Sequence, residues 1–72
     1  MKQLIVVMLL LWTIYIDYPM ANVRSLPKFG NNIIGQVYEG QYFEVLSFNG
    51  VWYEIDFYGQ TGYLFFTTVK QN

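Results

Sequence analysis

The pattern of apolar and polar positions changes twice along the chain. Leu4 to Trp12 is an unbroken apolar run of nine residues, after which Thr13, Tyr15 and Asp17 alternate with Ile14, Ile16 and Tyr18. A period of two belongs to a strand that buries one face, so a first strand is predicted over Thr13 to Asp17. After Ala21 no helical period occurs. Aromatic and β-branched residues alternate with polar ones between Gly30, Gly35, Gly40, Gly50, Gly59 and Gly62. That spacing predicts an all-β chain of short strands joined by tight turns.

Two hairpins can be read for register, because a slip of one residue exchanges the buried and exposed faces. For the stretch from Glu44 to Ile55, a two-residue turn at Asn49-Gly50 would set Val45 opposite Glu54 and mix charge with hydrophobe. A three-residue loop, Phe48-Asn49-Gly50 with Gly50 left-handed, sets Val45 opposite Tyr53 and Phe43 opposite Ile55. This register sorts the faces but places Glu44 opposite Glu54. That repulsion, ~0.2–1 kcal/mol, is outweighed by ~1.5–3 kcal/mol for each large side chain kept buried. The following hairpin is expected to close on Gly59-Gln60, with Ile55 opposite Leu64, Asp56 opposite Tyr63 and Glu54 opposite Phe65. The predicted inner face is therefore Phe43, Val45, Tyr53, Ile55, Phe57 and Leu64. The outer face holds Tyr42, Leu46, Trp52, Tyr63 and Phe65 among Glu44, Glu54 and Asp56.

The apolar block has its own reading. Lys2 precedes it and no charge occurs from Gln3 to Ile16, as in the leader of an exported protein. As a helix, Leu4 to Ile16 would reach about 20 Å against roughly 30 Å of bilayer hydrocarbon, short for a comfortable span. Small residues suited to a signal peptidase are missing before Thr13, and Pro19-Met20-Ala21 is the nearest approximation. Cleavage there would remove the predicted first strand. Residues 1–12 are thus expected to be a signal or membrane-anchor segment, touching the membrane through Leu4 to Trp12 if uncleaved, and residues 13–72 a domain on the outer side.

Composition narrows the chemistry. The 72 residues allow one small domain. Neither cysteine nor histidine is present, which removes thiolate and imidazole metal ligands, the cysteine nucleophile and the commonest general base together. Ser25 and Ser47 have no histidine or suitably placed lysine to activate them. Glu44 and Glu54 lack a second functional group to position a substrate as a hydrolytic pair. The reading is a non-enzyme with no cofactor and no metal. From Asn22 onward Arg24, Lys28 and Lys70 stand against Glu39, Glu44, Glu54 and Asp56, a net charge of −1. No basic field exists to hold a nucleic-acid backbone.

Several local patterns combine into a resemblance. "ANVRSLP", "IIGQVYEGQYFEVL" and "NGVWYEIDFYGQTGYLF" carry asparagine-valine-arginine-serine at Asn22 to Ser25, then Pro27, Ile34-Gly35, Gly40, Trp52-Tyr53 and the corner from Gly59 to Tyr63. Together they resemble the bacterial SH3 domain family, SH3b. The resemblance implies an SH3-like five-stranded, partly open barrel whose first strand lies several residues before the asparagine, where Thr13 to Asp17 falls. Leu26 stands where the family usually has glycine, and Ala21 where it usually has leucine, so the loop from Arg24 to Asn32 departs from the pattern. The resemblance also implies a non-catalytic binding module of the cell envelope, periplasmic or otherwise extracytoplasmic, with peptidoglycan or its peptides as ligand. The alternative is a membrane-tethered protein-protein interaction module: an inhibitor, an assembly subunit or a phage exclusion factor.

Twelve of the 51 residues from Asn22 onward are aromatic, too many for so small a barrel to bury. Tyr42, Trp52, Tyr63 and Phe65 are therefore either a ligand platform or a second layer under folded loops. With Glu54 and Asp56 beside them, an exposed platform would favour an amine-bearing ligand. Asn22 and Arg24 are expected to hold nearby backbone rather than ligand.

Overall fold

A computed structural model describes residues 12–71. The expected leader lies outside them apart from Trp12. Among the described residues seven strands form: β1 (Thr13–Ile16), β2 (Met20–Arg24), β3 (Ile33–Tyr38), β4 (Tyr42–Phe48), β5 (Trp52–Phe57), β6 (Gln60–Phe65) and β7 (Val69–Gln71). A single 3-10 turn at Phe66–Thr68 precedes β7. All pairings are antiparallel, in one sheet of order β3-β2-β6-β5-β4-β1-β7. The architecture is all-β and consistent with an SH3-like fold. Seven strands stand where the resemblance implies five. β2 and β3 pair with each other, burying Ala21, Val23 and Val37, and three-residue β7 pairs with β1.

The alternation read from Thr13 onward is realised: Ile14 and Ile16 are fully buried. The predicted inner face is also the observed one, with Phe43, Val45, Tyr53, Ile55, Phe57 and Leu64 all buried. Every strand sends at least one side chain into a single cluster that also holds Ala21, Val23, Val37 and Val69, so the sheet wraps around one core. Wrapping needs a bend. It comes at a bulge between Val45 and Ser47 of β4, where the first half of the strand pairs with β1 and the second half with β5.

Both predicted registers are displaced: β5–β6 by two residues throughout, and β4–β5 by two at Val45 and by three beyond the bulge between Val45 and Ser47, which absorbs the odd residue so that the faces survive. Between β4 and β5 the partners are Val45 with Ile55, Ser47 with Glu54 and Phe48 with Tyr53. The loop is longer than expected because Asn49 folds back on it: its Oδ1 accepts from the amides of Val51 (2.9 Å) and Trp52 (2.7 Å). Glu54 consequently faces Ser47 and receives its hydroxyl hydrogen bond at 2.7 Å, while Glu44 pairs across to Thr13. The expected carboxylate repulsion does not arise. Between β5 and β6 the turn is Tyr58-Gly59, not Gly59-Gln60, so Ile55 faces Gly62 and Tyr53 faces Leu64. Tyr58 and Gly59 both adopt positive φ, +51° and +91°, the pattern of a type I′ turn. Asp56 Oδ1 accepts the Gly59 amide at 2.8 Å and holds this conformation. Gly62 is required on β6 because a Cβ there would run into Val23 Cγ1 and Phe57.

Candidate functional site

The β5–β6 ladder assembles most of the predicted site. Its outward side chains form cross-strand pairs: Trp52 with Phe65, Glu54 with Tyr63, and Asp56 with Thr61. These replace the expected pairings of Glu54 with Phe65 and Asp56 with Tyr63. Glu54 is the centre of a hydrogen-bonded line across three strands, accepting from Ser47 on one oxygen and from Tyr63 (3.2 Å) on the other. Tyr63 is held protonated to higher pH than an ordinary phenol, first by burial and then by the hydrogen bond and negative charge of Glu54. On the next strand over, Arg24 of β2 sits opposite Tyr63.

Trp52 departs from the exposed reading. It is only 7% exposed, because Phe29 from the β2–β3 loop packs edge-on against it with ring centres 5.0 Å apart and also lies 5.0 Å from Phe65. Trp52 and Phe65 meet edge-to-face at 5.3 Å. The loop thus supplies the lid of a small outer aromatic layer, and Trp52 is its packed base. Phe29 itself is 60% exposed. Sequence reasoning left it out because nothing in its local pattern says where an eight-residue loop will fold; a phenylalanine in a polar loop was the one available signal.

Arg24 holds that loop in place, as expected. Its Nη1 donates to the Gly30 carbonyl (2.9 Å) and to Asn32 Oδ1 (3.0 Å), and its guanidinium carbon lies 5.0 Å from the Phe29 ring centre. Asn32 in turn donates to the Lys28 carbonyl at 2.9 Å. Asn22 accepts a hydrogen bond from Gln36 at 3.3 Å across the β2–β3 pair.

The remaining predicted residues lie apart from this centre. Asp56 is exposed beside the β5–β6 turn, with one oxygen committed to Gly59. Tyr42 is 59% exposed at the start of β4, opposite Tyr15 of β1 and 5.8 Å from its ring. It belongs to a different part of the sheet from the Trp52–Phe65 pair. Trp12, assigned to the leader by its apolar neighbours, contacts the sheet: its carbonyl accepts the Val45 amide at 2.7 Å and its ring meets Tyr53 edge-on at 6.0 Å. Among the described residues no helix is long and apolar enough to cross a membrane, and no group of three or more potential ligands could hold a metal ion.

The arrangement brings together rings, one hydrogen-bonded carboxylate and one anchored guanidinium. No curated protein and no solved structure matches the chain. The family profile described as "Bacterial SH3 domain" matches residues 20–69, from the start of β2 to the first residue of β7. The chain belongs to the bacterial SH3 domain family.

Proposed function

We propose that this protein is a non-catalytic binding module of the bacterial cell envelope that recognises peptidoglycan or its peptides through the outer face of β5 and β6. Membership of a family of binding modules supports the general class. The observation that carries the specific reading is the Tyr63–Glu54 pair, a ring and a carboxylate fixed side by side on the outer surface. Aromatic faces give contact area at low entropic cost, and a carboxylate beside them favours an amine, as on a peptide with a free lysine or diaminopimelate side chain. Phe65 extends the surface, with Asp56 and Tyr42 as more distant contributors. The apolar run before Thr13 supports an extracytoplasmic location, exported or anchored.

Retention on purified sacculi tests the proposal. Tyr63→Ala and Glu54→Gln should release the protein while a cooperative thermal unfolding transition is retained, and retention of wild type should weaken as salt screens the amine–carboxylate attraction. Trp52→Ala is unsuitable as a binding variant because that ring is packed. Retention by a membrane-protein fraction and not by sacculi would replace this reading with a protein partner docking on the same face.

A further inference from the structure

The outward side chains of β2, Met20, Asn22 and Arg24, line a cleft of about 190 Å³ that Phe29 and Phe65 also line. Arg24 is the charged residue of that lining. Its three close partners, the Gly30 carbonyl, the Asn32 amide oxygen and the Phe29 ring, fix the guanidinium in place without neutralising it. Both Nη1 hydrogens are spent on the loop, which leaves the Nε–Nη2 edge for an incoming acceptor. Asp17, the acid nearest the lining in sequence, is paired with Lys70 at 3.6 Å.

From this cleft a row crosses three strands: Arg24 on β2, Tyr63 on β6 and Glu54 on β5 are successive cross-strand partners. Adjacent strands lie ~4.8 Å apart, so the backbones bearing the cation and the acid are about 10 Å apart. The row is positive at one end, aromatic in the middle and negative at the other. Glu54 accepts two hydrogen bonds, from Ser47 and Tyr63, and a carboxylate has room for about four.

We infer that this row is a bipolar site for a zwitterionic peptide: Arg24 receives a ligand carboxylate at the cleft, Tyr63 and Phe65 cover the intervening chain, and Glu54 receives an amine. The inference rests on the wall-peptide reading and narrows it to peptides that present a free carboxylate and a free amine together. Charge-assisted pairing at a fixed guanidinium makes the carboxylate end as selective as the amine end.

The test varies the ligand before the protein. Acetyl-Lys-Ala with a free C-terminus is titrated into isotopically labelled protein, followed by amide shifts of β2, β5 and β6, beside its C-terminal amide and its side-chain-acetylated form. The free acid should bind about tenfold more tightly than the amide, and the free amine about tenfold more tightly than its acetylated form. Arg24→Gln should abolish the first preference and leave the second; Glu54→Gln should do the reverse. Equal affinity for acid and amide, no shift with any form, or an Arg24→Gln protein that keeps its preference for the acid would each overturn the inference. Sacculus retention without these charge preferences would sink the bipolar site and leave the wall reading standing. Charge preferences without sacculus retention would do the opposite.

Discussion

Trp52 shows how one side chain decides between two readings of a surface. Its ring faces outward from β5, yet Phe29 and Phe65 close over it, so it contributes packing energy where an exposed ring would contribute contact area. Trp52→Ala should therefore cost about 3–5 kcal/mol of stability, measured as a shift in the urea midpoint, and Trp52→Phe distinctly less. A loss under about 1 kcal/mol would mean the loop does not cover the ring in solution. Tyr63 makes a separate prediction through pH. Its pKa is raised above the ordinary 10.0, by burial first and then by Glu54. The folded protein thus keeps this proton when the unfolded chain has lost it. The resulting stability is intact below the ordinary value and is lost as pH rises through the higher folded value. Comparing thermal midpoints on the alkaline side of neutrality, wild type should fall more steeply than Tyr63→Phe; parallel curves would contradict the assigned cause.

At the scale of elements, the turns set the registers, and they do so through side chains rather than through glycine alone. Asn49 closes the β4–β5 loop by accepting two backbone amides, and Asp56 accepts one, that of Gly59, in the next hairpin. Both hairpins thereby settle away from the register favoured by glycine position: β5–β6 by two residues, and β4–β5 by three next to its loop, reduced to two at Val45 by the bulge in β4, so the inner residues stay inside. Asn49→Ala strands two amides at the loop and should lower stability by about 1–2 kcal/mol, read from denaturant unfolding. It should also broaden the amide resonances of Phe48 and Tyr53, the pair that closes the hairpin. An unchanged midpoint would show that the loop is held by the stacked Phe48 and Tyr53 rings, 4.2 Å apart, without help from Asn49.

For the whole molecule, the decisive element is β1. It lies between β4 and β7, is the strand on which β7 pairs, and sends two fully buried isoleucines into the core. Burial of each isoleucine is worth ~1.5–3 kcal/mol. A domain of this size holds only several kcal/mol in total, at roughly 0.05–0.15 kcal/mol per residue. A chain beginning at Asn22, the product of cleavage after Pro19-Met20-Ala21, should lack a cooperative unfolding transition and recover it when a peptide spanning residues 12–18 is added. A cooperative transition of that shortened chain by itself would show that β1 is dispensable. The family match begins at residue 20, so this strand is read from the alternation of Thr13 to Ile16 and from its place in the sheet.

Strand class, the inner face of the β4–β5–β6 strands and the first strand were legible in the sequence because each depends on a period of two that is local and repeated. The inner face from Phe43 to Leu64 could be assigned even with both turns displaced, since parity alone fixes which side a residue takes. Tertiary structure decided what periodicity cannot encode: that the β2–β3 loop folds back over Trp52, that Arg24 becomes a partner of Tyr63, and that Tyr42 ends on a different part of the sheet from Phe65. Those outcomes depend on contacts between residues far apart in the chain, whose strength is set by shape and distance after the sheet has closed.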